Sequence, residues 1–172
     1  MPLFPQLDEN AIFLSREDSN HLLSSYSKHA FFLDDAEWPS VAHYFHAMKF
    51  EDESYREKIR SAPHPKKAKQ LGRTRLKKIR NDWKEVRTTI MTRAIYIKCK
   101  AHDEVAEELL ETEDRDIIEN NSYDYFWGCG RDRRGENHYG KVLMNVRKKL
   151  RDEIKAERKA KEQASKEENN NG

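Results

Sequence analysis

Downstream of Asp82, Trp83, Val86, Ile90, Ala94 and Ile97 recur every three to four residues, the period of a buried helical face. In a chain where 37% of residues are charged, this is the strongest apolar period. It predicts a core helix of about five turns, at 3.6 residues per turn, with Asp82 as its N-cap. Everything else has to pack around it. A chain of 172 residues is long enough for one such core and short for two.

No apolar run approaches the roughly 20 residues that span a bilayer, and no signal-peptide pattern is visible at the amino end. A soluble protein of the cytoplasm or nucleus is therefore expected, without a membrane partner. The two cysteines, Cys99 and Cys129, are too few for a disulfide framework or a zinc ribbon and read as reduced thiols. Net charge is only +2, but it is unevenly spread. Residues 1–55 carry 3 Lys and Arg against 10 Asp and Glu, whereas residues 56–100 carry 16 against 3. The acid excess returns over 101–132, at 2 against 11, and residues 133–172 carry 12 against 7. The basic middle block fits a polyanionic partner, and equally fits helices with basic solvated faces.

Residues 1–37 read as one or two short strands with loops. Ser40, just after Pro39, can cap a helix running to about Phe50. Asp52 can start a second helix through Tyr55 and Ile59, stopped by Pro63 and Pro65. "PKKAKQLG" gives a third, with Gly72 placed as a C′ glycine. Asp103 caps another, which turns Val105, Ala106, Leu109 and Leu110 inward, and "DIIE" reads as a short strand. Residues 125–140, "YFWGCGRDRRGENHYG", hold four glycines and read as a loop. A last helix starts near Tyr139 and packs through Leu143, Val146 and Leu150. Residues 153–172 lose the apolar stripe and read as a solvated helix end followed by disorder. The expected architecture is α+β, predominantly helical, with one domain over 1–152 and a small β component.

Two segments hold the side chains that chemistry needs. "WPSVAHYFHAMKF", residues 38–50, has Lys49 as its sole formally charged residue, amid aromatics. On a helix, positions seven apart return to within about 20°, so Ala42, His46 and Lys49 share one stripe, edged by Phe45. His43, Ala47 and Phe50 share another. A His-x-x-His pair without further ligands gives no support for a metal. In the glycine loop, Gly128, Gly130, Gly135 and Gly140 can bring backbone amides close to an anion. Asp132 and Asn137 are its candidate polar contacts, and Trp127 offers a flat face to a base or ribose. Arg73, after Gly72, can grip a phosphate.

The order of these motifs, from "WPS..HYFHAMKF" through "AKQLGR" and "DW" to "WGCGRDRRGENHYGKVLMNVRKKL", resembles the NADAR family of YbiA-like N-glycosidases, over about residues 12–150. The resemblance implies a single mostly helical domain, acting as a monomer and without a cofactor. It implies a pocket for ribose-containing ligands related to NAD and ADP-ribose, and cleavage of an N-glycosidic bond. Family substrates include early riboflavin-pathway intermediates and guanine bases carrying ADP-ribose on nucleic acid. Carried over residue by residue, Trp38, His43, Tyr44 and Lys49 match the helix motif, and Gly72 and Arg73 match the phosphate-side turn. Trp83 matches the start of the core helix. Trp127, Gly128, Gly130, Asp132, Gly135, Asn137 and Gly140 match the closing loop.

The departure is Ala42, where the family motif has a glutamate. Cleaving an N-glycoside builds positive charge on the ribose, and a carboxylate ordinarily stabilises it or moves a proton. On this reading Lys49, its pKa lowered by the burial that Phe45, Tyr44 and Trp38 provide, attacks the anomeric carbon to form a Schiff base. Position 42 handles protons and Asp132 is a further catalytic carboxylate. Alanine at 42 then impairs turnover. It marks either a natural variant that binds with slow turnover or a form substituted to hold a ligand, and the otherwise intact motif set favours the second. The leading expectation is an ADP-ribosylhydrolase acting on modified guanine in DNA or RNA. The alternatives are an N-glycosidase of riboflavin intermediates and a non-catalytic ADP-ribose reader.

Overall fold

Helix starts are set by local capping. In the computed structural model, which describes residues 8–172, the Ser40 hydroxyl accepts from the His43 amide and opens α1 (Val41–Ala47). The Asp52 carboxylate accepts from Tyr55 N and opens α2 (Glu53–Arg60). The His64 ring accepts from Lys67 N and opens α3 (Pro65–Gly72), with Pro65 at the position where no amide is needed. These are followed by α4 (Trp83–Ala101), α5 (Asp103–Glu111) and α6 (His138–Asn170). Strands β1 (Ile12–Leu14), β2 (Phe31–Leu33) and β3 (Ala36–Trp38) precede the helices, and β4 (Ile117–Glu119) falls between α5 and α6.

The strands form two small ribbons. β2 and β3 make an antiparallel hairpin, with Phe31 opposite Trp38. Its turn residues Asp34 and Asp35 both have positive φ, 51° and 60°, which suits the twist of a two-residue hairpin loop. β1 pairs in parallel with β4, Ile12 opposite Ile117, so the beginning of the chain is joined to the segment before the glycine loop. The architecture is thus predominantly helical with a small β component, as the sequence implies.

α4 is the central helix, in contact with α1, α5, α6 and β2. Because neighbours flank it on several sides, its buried set is broader than one stripe: Ile90, Met91, Ala94, Ile95, Lys98 and Cys99. Trp83, Val86 and Ile97 pack against that core while keeping part of their surface exposed. Lys98 is only 2% exposed. Its Nζ donates to the carbonyls of Leu22 (2.6 Å) and Ser24 (2.9 Å) and to the Ser27 hydroxyl. The ammonium therefore stands in for missing backbone partners and fixes the 22–27 loop.

Five expectations are corrected. Asp103 is the first residue of α5, and His102 before it is the cap residue, without a side-chain cap bond. α1 stops at Ala47, short of Phe50, because Phe50 leaves the helix to form an antiparallel bridge with Ile79. Asp82 precedes α4 but makes no side-chain cap bond; its carboxylate is held by Arg80 at 2.6 and 2.9 Å. Gly72 is the last residue of α3, and Arg73 is the cap residue. Glycine is needed there for space, since a Cβ would lie 2.7 Å from His46 Nδ1. Finally, α6 continues to Asn170 through the stretch expected to be disordered. That stretch is rich in Ala, Lys, Glu, Arg and Gln, the residues with the best intrinsic helix propensity. From Lys155 onward every residue is exposed.

Candidate functional site

A cavity of about 200 Å³ opens where α1, α3 and α4 meet the 16–26 loop and Trp127. The sequence builds its walls from separate elements. α1 contributes Ala42, Phe45 and His46, and Lys49 follows in the turn after the helix. α3 contributes Lys69, Arg73 lies at its end, and Trp83, Arg87 and Met91 line the α4 side. Arg16, Glu17, Ser25 and Tyr26 close the remaining side. Phe45 is the centre of the aromatic wall. Its ring lies 5.0 Å from that of Trp83 and 5.5 Å, edge to face, from that of Trp127.

The cavity is strongly cationic. Arg16 is anchored from behind by Glu119 (3.1 Å) and Asp124 (2.7 Å). Lys69 is paired with Glu17. The Arg87 guanidinium lies 3.4 Å over the Phe126 ring. Among the described residues, neither Arg73 nor Arg87 has a carboxylate partner. Guanidiniums without internal counterions at a cavity wall suit a phosphate-bearing ligand.

Lys49 Nζ donates a 2.6 Å hydrogen bond to the Gly72 carbonyl. Burial, and secondarily the Arg73 charge, lower its pKa from the usual lysine value. Burial is the expected cause, but only Phe45 of the three expected aromatics lines this cavity. His46, one turn after Ala42, has its pKa pushed down to about 3 by burial and then by Lys49, Lys69, Arg16 and Arg73. It is therefore a neutral imidazole, and among the described residues its Nδ1 has no hydrogen-bond partner. Tyr26 is pushed up to about 12 by burial and Glu17, so its phenol stays protonated.

Of the residues expected at the site, Lys49, Ala42, Arg73, Trp83 and Trp127 come together in this cavity. The others do not line it. His43 is buried, with its ring nitrogens at 2.7 Å from the Ser40 hydroxyl and 3.0 Å from the Ala62 carbonyl. Tyr44 is fully buried and donates to Asp34 at 2.7 Å, and Trp38 donates its indole N–H to the Leu33 carbonyl at 2.9 Å. Both belong to the hairpin's packing. Asn137 bonds β4 on both sides, donating to Ile117 O and accepting from Glu119 N, each at 2.9 Å. Asp132 accepts from Arg134 N within its own loop, 3.2 Å away.

The glycine loop also departs from the expected anion cradle. The amides of Cys129, Gly130 and Gly135 donate to Glu119, Asn121 and Cys129 carbonyls. A Cβ on Gly128 would lie 2.5 Å from Glu119 Oε2, and one on Gly140 would lie 2.0 Å from the Ile117 carbonyl. These glycines let the loop pack on β4, and the loop's contribution to the cavity is Trp127. Sequence reasoning missed Arg16, Glu17, Tyr26, Lys69 and Arg87. Arg87 follows Trp83 by four positions, so the same helical face was a readable signal; the 16–26 residues had none.

The single α+β domain holds a cationic, aromatic-walled cavity with a half-buried lysine in its wall. The chain belongs to the NADAR domain family, whose model matches residues 7–151. It is 40% identical over 131 residues to an N-glycosidase of Nostoc punctiforme, covering 74% of this chain and 84% of that one. It is 36% identical over 138 residues to the N-glycosidase YbiA of Escherichia coli, covering 80% and 86%. The solved structure of E. coli YbiA superposes with a TM-score of 0.76 at 34% identity, covering 90% of this chain and 95% of that one. A riboflavin biosynthesis protein of Vibrio vulnificus is 32% identical over 145 residues, which is 84% of this chain and 40% of that protein.

Proposed function

We propose that this protein is an N-glycosidase that releases ADP-ribose from a modified base, with guanine in DNA or RNA as the substrate. The observation that carries the reading is Lys49, a half-buried amine of lowered pKa facing a cavity that also holds Arg73 and Arg87. A neutral amine attacks the anomeric carbon and forms a Schiff base, while the guanidiniums hold the pyrophosphate. Trp83, Trp127 and Phe45 supply the apolar wall against the sugar and base. The choice of nucleic acid rests on the segment leaving the cavity. From Arg73 the chain runs through Arg75, Leu76, Lys77 and Lys78, all exposed, so a basic strip adjoins the site. Phosphate contacts on such a strip supply much of non-specific affinity.

Incubation with an ADP-ribosyl-guanine oligonucleotide tests the proposal, with free ADP-ribose measured and borohydride used to trap a Lys49 adduct. Release of ADP-ribose with a trapped Lys49 supports it. Absence of an adduct during turnover rules out the Schiff base.

A second reading, hydrolysis of riboflavin intermediates, is favoured by the similarity to the V. vulnificus protein. Competing a ribosylaminopyrimidine phosphate against the oligonucleotide decides between them. Ala42 impairs either reaction on this proposal, and tight ADP-ribose binding without turnover, even in Ala42→Glu, marks a reader instead.

A further inference from the structure

The cavity presents Arg16, Lys49, Lys69, Arg73 and Arg87 against one carboxylate, Glu17. Position 42, which the family resemblance assigns to a proton-handling glutamate, bears a methyl group whose residue is 2% exposed. Glu17 is joined to that position through the backbone. Ala42 N donates to Ser25 O at 2.9 Å, and Ser25 N donates to Arg16 O at 2.9 Å, one residue before Glu17. The Ser25 hydroxyl adds a second bond to Arg16 O at 2.8 Å. Lys69 on α3 holds the Glu17 carboxylate from across the cavity, and the carboxylate side chain remains 32% exposed. The 16–17 segment is therefore fixed beside the start of α1, with its acid facing the same space as Lys49.

We propose that Glu17 is the carboxylate that moves protons in this chain, in place of the missing glutamate at position 42. The inference rests on the N-glycosidase reading. Once the ribose ring has opened to an imine between C1 and the base nitrogen, the Lys49 amine adds to C1. Glu17 takes the proton released from the Lys49 nitrogen. It delivers that proton to the base nitrogen, and then carries the second Lys49 proton to the same nitrogen as the lysine imine forms and the bond from C1 to the base breaks, the electron pair leaving with the base. Water then adds to the lysine imine. Glu17 carries one proton of that water to the Lys49 nitrogen, and then the proton of the resulting hydroxyl to the same nitrogen as the aldehyde forms and the bond from C1 to lysine breaks. One water is consumed, and the products are the free base amine, the ribose aldehyde and regenerated Lys49. The competing role is plain charge balance for Lys69.

Single-turnover rates at saturating substrate separate the two roles. The substrates are an ADP-ribosyl-guanine oligonucleotide and a ribosylaminopyrimidine phosphate. The proteins are the unaltered chain, Glu17→Gln, Ala42→Glu and the Glu17→Gln/Ala42→Glu double variant. Glu17→Gln is expected to slow turnover about 10² to 10⁴-fold, with ADP-ribose affinity changed less than about tenfold. Ala42→Glu is expected to restore the Glu17→Gln rate. Two results overturn the proposal: an unchanged Glu17→Gln rate, which with a shifted ADP-ribose affinity is what charge balance alone predicts, or no rescue by Ala42→Glu. If the unaltered chain is inert while Ala42→Glu is active, Glu17 does not replace the glutamate and the N-glycosidase reading still stands. If neither cleaves either substrate, that reading falls and this one with it.

Discussion

The Lys49 ammonium sits 2.6 Å from the Gly72 carbonyl, so the proposed nucleophile is aimed by the last turn of α3. Arg73, the next residue, lines the same cavity and contributes to lowering the Lys49 pKa, after burial. Nucleophile and phosphate grip are thereby built from one helix end.

That coupling has a pH signature. Lysine attacks as the free amine, so the rate rises as pH increases through the Lys49 pKa. Replacing Arg73 with Gln removes a like charge, which raises that pKa, and the rise in rate moves to higher pH. Loss of the phosphate contact also weakens substrate binding by roughly 10- to 100-fold, the worth of a charged hydrogen bond. A pH–rate profile of Arg73→Gln at saturating substrate checks the first effect and a titration with ADP-ribose the second. A rise at unchanged or lower pH contradicts the coupling.

Gly72→Ala tests the packing under Lys49. A methyl there would lie 2.7 Å from His46 Nδ1 and 2.9 Å from His46 Cβ. Such overpacking typically costs about 1–3 kcal/mol. The clash is with one side chain, so His46→Ala should recover most of the loss in the double variant. Urea denaturation of the four proteins of the cycle gives the coupling energy, and additive losses would show that the clash is relieved elsewhere.

What could be read from the sequence divides by range. Ser40, Asp52 and Pro65 mark helix starts because a cap involves only the next few residues. The Ala42, His46 and Lys49 stripe was legible for the same reason, and all three line the cavity. Arg16 and Glu17 come from a loop carried to the site by the β1–β4 pairing and by Lys98, contacts that no local pattern encodes. The glycine loop misled because composition shows that amides can approach something closely, and does not say what. Here they meet their own chain.

Asn137 illustrates that loop's role and can be tested on stability alone. Its φ of 52° is left-handed, its Nδ2 donates to Ile117 O and its Oδ1 accepts from Glu119 N. Asn137→Ala keeps the strained backbone and strips two partners from β4, for an expected loss of about 2–4 kcal/mol. Asn137→Gly loses the same two bonds but relieves the strain, and should lose measurably less. Thermal denaturation ranks the three proteins, and equal losses would mean that the backbone conformation carries no strain.

The end of α6 gives the complementary expectation, a large change in structure with little energetic effect. Glu153 is the last residue there with a tie to the core, accepting from the Tyr96 hydroxyl at 2.5 Å and from Lys100 at 3.2 Å. Beyond Ala156 the helix touches solvent on every side, and no buried residue follows Leu150. Deleting residues 157–172 should therefore leave folding stability within about 0.5 kcal/mol, as for surface changes away from special features. Catalysis should be unaffected, since the cavity is lined by residues 16–127. Circular dichroism should nonetheless register the loss of helix, because the segment is helical through Asn170. A fall of several kcal/mol on truncation would mean that this extension folds back on the domain or pairs with another chain.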